Sequence, residues 1–84
     1  MSSVTIYTSE PCPYCSGAKQ LLAKRGIEYE EINMSMDSDG RAELAETTGM
    51  FTFPQIVIGD FVLGGFDELR VADYTGKLKQ LLAA

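Results

Sequence analysis

The chain has 84 residues, of which 45% are hydrophobic and 23% charged, and its formal net charge is −5. This length predicts one domain with a thin core, over residues 1–84. The acidic balance argues against nucleic acid as a partner, and no apolar run is long enough to span a membrane. The start, Met1-Ser2-Ser3, lacks the basic and apolar regions of a signal peptide, so we expect a cytoplasmic protein.

The first third of the sequence predicts a strand, a helix and a second strand. Val4–Thr8 is rich in β-branched and aromatic residues, which is typical of a central strand. A helix can begin at Pro13 and end at Gly26, because apolar residues recur between them at helical spacing. The segment 27–32 carries three acids and suits an edge strand. This order predicts a parallel strand pair with a right-handed crossover.

The rest of the chain predicts a helix, a hairpin and a helical C-terminus. The helix covers Ser38–Thr48, with Leu44, Ala45 and Thr48 facing inward, and Gly49 ends it. The hairpin joins two short apolar strands, 55–58 and 61–63, through Gly59-Asp60.

Asp67 is predicted to cap the next helix, which Thr75-Gly76 interrupts before a last helical segment over 77–82. The first of these helices runs through Leu69, Val71, Ala72 and Tyr74. The last segment has Leu78, Leu81 and Leu82 on one face, which is typical of core packing.

The two cysteines, Cys12 and Cys15, lie between the first strand and the first helix. At such a junction the free backbone N–H groups and the positive end of the helix dipole favour a thiolate. The sequence has no histidine, so activation must come from the helix terminus, hydrogen bonds and cations. Lys19, Lys24 and Arg25 follow in the same helix and are the candidate cations.

Four interpretations of the cysteine pair compete. A closed zinc site needs four ligands and would require a second chain. A structural disulfide across two residues would constrain the unfolded chain very little. Two incidental cysteines would not explain the Cys-x-x-Cys spacing at a helix start. That spacing lowers the pKa of the first thiol, so we favour a redox-active pair.

Two further stretches allow an ordinary and a functional interpretation. Thr52-Phe53-Pro54 is either a plain strand start or, with a cis bond, a segment whose backbone pairs with an extended peptide. Gly64-Gly65-Phe66-Asp67 is either a turn with a helix cap or a site for a ligand's α-carboxylate and ammonium.

With these motifs in order, the sequence resembles the glutaredoxin family, specifically its short dithiol type similar to those of bacteria. Three stretches carry the resemblance: Tyr7-Thr8 leading to Cys12-Pro13-Tyr14-Cys15, then Thr52-Phe53-Pro54-Gln55-Ile56, then Gly64-Gly65-Phe66-Asp67-Glu68-Leu69. The Trp-Cys-Gly-Pro-Cys pattern of thioredoxins is absent.

The resemblance implies an α/β thioredoxin-like fold with a four-stranded mixed sheet flanked by helices. It implies a glutathione-dependent oxidoreductase that acts on glutathionylated and disulfide-containing proteins in cell redox homeostasis. Cys12 would be the nucleophile and Cys15 the resolving thiol of a redox-active disulfide. Glutathione would be the electron donor, and we expect no metal, no membrane partner and a monomer. The implied glutathione-binding residues are Tyr14, Thr52, Phe53, Pro54, Gly65, Phe66 and Asp67, with Arg41 as a candidate cation.

Two positions depart from the family pattern. Family members commonly carry Lys where this chain has Ser9, and often Arg or Lys where it has Met50, both near the glycine carboxylate of glutathione. Arg41 is the candidate for the remaining basic contact. The interpretation of Arg41 as an ordinary solvated residue of the helix is almost as well supported. We therefore expect weaker glutathione binding than in relatives with the full basic set.

Two other functions remain as alternatives. One is an iron–sulfur module in which two chains share a cluster through Cys12 and two glutathiones, against which Pro13 and Tyr14 argue. The other is a redoxin reduced by thioredoxin reductase, for which the intact Gly-Gly-Phe-Asp stretch is the contrary feature.

Overall fold

The structure is a computed structural model, and it describes residues 3–83. Its strands are β1 (Val4–Thr8), β2 (Glu30–Asn33), β3 (Gln55–Ile58) and β4 (Phe61–Gly64). Its helices are α1 (Pro13–Lys24), α2 (Ser38–Thr48), α3 (Phe66–Thr75) and α4 (Lys77–Ala83). Within residues 3–83, no helix is both long enough and apolar enough to cross a membrane.

The four strands form one mixed sheet in the order β2-β1-β3-β4. β1 pairs in parallel with β2 and antiparallel with β3, and β3 and β4 form an antiparallel hairpin. The predicted strand–helix–strand unit, the hairpin and the mixed sheet are thereby confirmed. Because β1 is central, its carboxyl end leads the chain into α1 from the middle of the sheet.

The core is formed by one face of the sheet together with α1, α3 and α4. Ile6, Leu22, Ile56 and Leu69 are fully buried there. The other buried members of this cluster are Val4, Ala18, Ile58, Ala72 and Leu78. α1 therefore packs into the core through Ala18 and Leu22.

β2 is shorter than the sequence predicts. It begins at Glu30, not at Ile27, because the end of α1 uses the intervening backbone. Gly26 adopts a φ of 69°. Its N–H donates to the carbonyl of Ala23, and the N–H of Ile27 donates to the carbonyl of Leu22. This pattern is a Schellman motif, which turns the chain before strand pairing can start.

α3 corrects a second expectation, since its N-cap is Gly65 and not Asp67. The helix already begins at Phe66, so Asp67 lies within the first turn. The Glu68 carboxylate accepts a hydrogen bond from the N–H of Gly65 at 2.7 Å and thereby caps the N-terminus of the helix.

Burial is uneven along α3 and α2, and on α2 it is lower than the sequence predicts. On α3, Leu69 and Ala72 are buried, but Val71 and Tyr74 are exposed. On α2 no residue is fully buried, and the three positions expected to face inward, Leu44, Ala45 and Thr48, are only half-buried. α2 therefore contributes no fully buried side chain to the core.

Replacing Leu69 with Ala should lower the free energy of unfolding by about 2–5 kcal/mol, because a fully buried side chain leaves a cavity. Val71→Ala, on the same helix but exposed, is the matched control and should cost less than about 0.5 kcal/mol. Urea denaturation measures both. Equal losses would contradict the assignment of the buried face.

Candidate active site

The two cysteines lie at the start of α1 and are close enough to form a disulfide. Their Cα atoms are 5.2 Å apart. Cys12 is the N-cap, and its sulfur accepts a hydrogen bond from the N–H of Cys15 at 3.2 Å. Cys12 is partly exposed, whereas Cys15 is only 3% exposed. A substrate can therefore reach Cys12 directly but can reach Cys15 only through it.

A groove with a volume of about 410 Å³ lies on one side of the pair. Seven of the eight predicted glutathione-binding residues line it: Tyr14, Thr52, Phe53, Pro54, Gly65, Phe66 and Asp67. Met50 and Glu68 complete its lining. The Cys12 sulfur lies 3.6 Å from the carbonyl oxygen of Phe53. The groove therefore leads to the sulfur that the sequence assigns as nucleophile.

Three elements meet in this groove, and each brings a different surface. Tyr14 comes from the first turn of α1, and its ring centroid is 6.1 Å from that of Phe66 on α3. The peptide bond between Phe53 and Pro54, just before β3, is cis. The groove thus combines two aromatic rings, backbone polar groups and the N-terminus of a helix.

Gly17 allows the Phe66 ring to approach α1 closely. A Cβ at this position would lie 3.1 Å from the edge of the Phe66 ring. Glycine is costly inside a helix, and close packing against Phe66 is the physical reason for its presence at this position.

Gln55 is a supporting residue that the sequence analysis did not assign. It is only 1% exposed, and its amide N–H₂ donates to the carbonyls of Met50 and Thr52 at 3.2 and 3.1 Å. Its amide oxygen accepts from the Thr48 hydroxyl at 2.8 Å. The amide thereby holds the loop before Phe53 against β3. A glutamine inside an apolar strand was the available signal.

Arg41 does not line the groove. One of its terminal nitrogens donates to the carbonyls of Met34 and Ser35. Its side chain borders a neighbouring cleft, together with Met50 and Phe53. Part of its hydrogen-bonding capacity is therefore used to hold the loop before α2.

A second depression, which we call the rear cleft, lies next to the cysteines and has a volume of about 550 Å³. Its lining residues are Thr8, Ser9, Glu10, Pro11, Cys12, Cys15, Ser16, Lys19 and Glu31. The Thr8 hydroxyl, which is buried, donates to Glu31 at 2.9 Å. The Lys19 ammonium donates to both oxygens of the same carboxylate at 3.2 Å.

These contacts affect the cations of α1 that the sequence analysis named as candidates for favouring a thiolate. The hydrogen bond from Thr8 is the main cause that lowers the pKa of Glu31; burial opposes it, and Lys19 lowers it further. Arg25 forms two hydrogen bonds with Asp73 of α3, and these together with the charge of Asp73 raise the pKa of Arg25. Two of the three predicted cations, Lys19 and Arg25, are therefore paired with carboxylates.

Among the described residues 3–83, no group of three or more His, Cys, Asp or Glu side chains is placed to hold a metal ion.

Comparison with known proteins decides the family. The family model described as glutaredoxin matches residues 4–63. The chain belongs to the glutaredoxin family. A glutaredoxin of Pseudomonas aeruginosa is 46% identical over 84 residues, covering 100% of both chains. Glutaredoxin 3 of Escherichia coli is 40% identical over 82 residues, covering 98% of this chain and 99% of the relative.

Solved glutaredoxin structures have the same thioredoxin-like architecture. The solution structure of a glutaredoxin from Brucella melitensis is 49% identical, with a TM-score of 0.86, and the match covers 98% of this chain and 89% of that one. The crystal structure of a buckwheat glutaredoxin–glutathione complex is 32% identical, with a TM-score of 0.88, over 98% and 77% of the chains. The family implies thiol–disulfide oxidoreductase activity, for which Cys12 and Cys15 are suitably placed.

Replacing Gln55 with Leu should lower the free energy of unfolding by about 1–3 kcal/mol, because the carbonyls of Met50 and Thr52 and the Thr48 hydroxyl lose a buried partner. Thermal unfolding measures this. Gln20→Leu, at an exposed position of α1, is the control and should change stability little. An unchanged Gln55→Leu protein would contradict the supporting role.

The lowered pKa of Glu31 predicts a pH-dependent contribution to stability. A carboxyl whose pKa is lower in the folded state than its ordinary 4.5 stabilises the fold above that value, and this contribution is lost as pH falls through the folded-state pKa. Urea denaturation should therefore show Glu31→Gln less stable than the parent at neutral pH, with the difference vanishing in strong acid. A pH-independent difference would refute this linkage.

Proposed function

We propose that the protein is a glutathione-dependent thiol–disulfide oxidoreductase that reduces protein–glutathione mixed disulfides. The Cys12 thiolate attacks the glutathione sulfur, the substrate disulfide breaks, and the protein leaves as a thiolate that takes up a proton. A second glutathione thiolate then attacks the glutathione sulfur held on Cys12. Oxidised glutathione forms, and the Cys12 thiolate is restored.

The same pair also reduces protein disulfides in this proposal. Cys12 attacks one sulfur and forms a mixed disulfide with the substrate, and Cys15 then attacks the Cys12 sulfur. The substrate is released as a dithiol, and Cys12–Cys15 is left oxidised for two glutathione molecules to reduce. Cys15 is required for this route alone, because in the first route a second glutathione does its work.

The observation that carries the proposal is the groove that leads to the Cys12 sulfur. Its lining joins the Phe53 backbone, which lies 3.6 Å from that sulfur, to the N-terminus of α3. An extended peptide with thiol, carboxylate and ammonium groups suits this combination. The similar buckwheat glutaredoxin, which is described in complex with glutathione, supports the same ligand.

Within this groove we assign roles by position. The Phe53 backbone pairs with the cysteine of glutathione, while Tyr14 and Pro54 form the walls. The N–H groups at the start of α3 receive the α-carboxylate of the γ-glutamyl end, and Asp67 receives its ammonium. Thr52, Gly65 and Phe66 complete the contact surface. Arg41 lies outside the groove, on the neighbouring cleft that Met50 and Phe53 also line, and is the candidate for the glycine carboxylate.

The protein's domain, oligomeric state, compartment and substrates follow from the same function. Residues 1–84 act as one glutaredoxin domain and as a monomer, with no resident metal. The cytoplasm is the expected compartment, because its glutathione pool returns an oxidised pair to the dithiol. The protein substrates are the glutathionylated or disulfide-containing proteins whose cysteine can reach Cys12.

Serine variants of the two cysteines separate the two routes. Cys12→Ser should abolish reduction of a glutathionylated peptide, because the nucleophile is lost. Cys15→Ser should retain it and lose reduction of a protein disulfide. Both are measured with glutathione, glutathione reductase and NADPH.

Each cysteine variant is the matched control of the other. A Cys12→Ser protein that still reduced the glutathionylated peptide would overturn the proposal. So would equal turnover of the parent with thioredoxin reductase in place of glutathione.

The missing basic contact predicts that Ser9→Lys tightens glutathione binding. The new cation joins the loop between β1 and α1, so the KM for glutathione should fall several-fold at low salt, with the gain shrinking at high salt. Ser9 lines the rear cleft beside Cys12, whereas Gln80→Lys on α4 makes the same change in net charge away from both the rear cleft and the groove and should have no such effect. An unchanged KM for Ser9→Lys at low salt would count against the assignment.

A further inference from the structure

The rear cleft contains an ion pair beside the resolving thiol. Cys15 and Lys19 are four residues apart on α1, so their side chains share one helix face. Helical side chains lean towards the N-terminus, and Lys19 therefore extends over the turn that contains Cys15. Both residues line the rear cleft, and Glu31 of β2 faces them there. The cleft thus brings one cation and one fixed carboxylate to Cys15.

Glu31 is held in place from two directions. The buried Thr8 hydroxyl donates to one of its oxygens, and the Lys19 ammonium donates to both. The Lys19 and Glu31 side chains are 33% and 32% exposed, so solvent screens the pair only in part. The contact with Thr8 keeps Glu31 ionised, and Glu31 in turn offsets the charge of Lys19.

We propose that the Lys19–Glu31 pair controls how readily Cys15 acts as the resolving thiol. Cys15 must lose its proton before its thiolate attacks the Cys12 sulfur of the mixed disulfide. The new bond is Cys12–Cys15, the bond to the substrate sulfur breaks, and the substrate thiolate takes up a proton. Lys19 stabilises the charge that forms on Cys15, while Glu31 limits that stabilisation. Both are positioning residues.

Two other carboxylates lie on the elements around the cysteine pair, those of Glu10 and Asp67. Glu10, in the loop between β1 and α1, also lines the rear cleft and adds a negative charge. It binds Asn33 through its carboxylate, and its backbone N–H donates to Ser35. Asp67 lines the glutathione groove and not the rear cleft. Lys19 is therefore the cation among the residues that line this cleft.

The inference rests on the proposed function, in which Cys15 resolves the mixed disulfide, but it can be tested without glutathione. In full-length Cys12→Ser protein, Cys15 is the one remaining thiol, and its alkylation by iodoacetamide reports its thiolate fraction. At fixed pH, Lys19→Met should slow alkylation about three-fold, and Glu31→Gln should speed it by a similar factor. The rate–pH profile should move to higher pH in the first variant and to lower pH in the second.

Matched variants separate charge from structure. Lys19→Arg keeps the cation and should restore the parent rate, and Lys24→Met removes an exposed cation of the same helix that does not line the cleft. Loss of structure would expose Cys15 and speed alkylation in both Lys19→Met and Glu31→Gln. Shifts of the two variants in the same direction, or no shift in either, would overturn the inference.

Turnover provides the second measurement. With both cysteines present, Lys19→Met should lower the rate of protein-disulfide reduction relative to the rate of deglutathionylation, because only the first route uses Cys15. An unchanged ratio would contradict the inference. Failure of the proposed function would appear instead in the single-cysteine variants, so the two failures are distinguishable.

Discussion

The chemistry of the site depends on the hydrogen bond from the Cys15 N–H to the Cys12 sulfur at the start of α1. A sulfur in this position receives a free backbone donor and the positive end of the helix dipole, which substitute for the histidine that the chain lacks. The fold fixes this arrangement through burial. Ala18 and Leu22 anchor α1 in the core, and β1 in the middle of the sheet delivers the chain to its first turn.

Two depressions flank this helix start, and they differ in chemistry. The groove carries aromatic rings and backbone polar groups from three segments, which suits recognition of a peptide. The rear cleft carries Lys19 and Glu31 beside a buried Thr8, which suits electrostatic control of a thiol. In the proposed function, recognition and control therefore lie on separate surfaces, and a change in the Lys19–Glu31 pair would alter the resolving step without altering the walls of the groove.

Much of the fold could be predicted from local sequence, whereas the residues of the groove were implied by the resemblance to glutaredoxins. β-Branched runs, glycine stops and the two-residue turn at Gly59-Asp60 indicate elements that the structure confirms. Errors occurred where a tertiary contact or a competing cap was decisive. The Glu68 carboxylate caps α3 by accepting a hydrogen bond from the Gly65 N–H, so the helix begins before Asp67. The Schellman motif after α1 moves the start of β2 to a later residue. Neither the alternation of residues nor helical periodicity contains that information.

By itself, the sequence determined that Cys12 and Cys15 share the start of a helix, and its three motifs predicted the residues that line one groove. The tertiary structure decided which of the predicted cations are paired with carboxylates. Lys19 and Arg25 look like free cations along the chain, but folding brings Glu31 and Asp73 to them from 12 and 48 residues away. It also decided that Gln55 supports the loop before Phe53 and that Gly17 makes room for Phe66. These pairings depend on distance in space, which a one-dimensional pattern of residue types does not record.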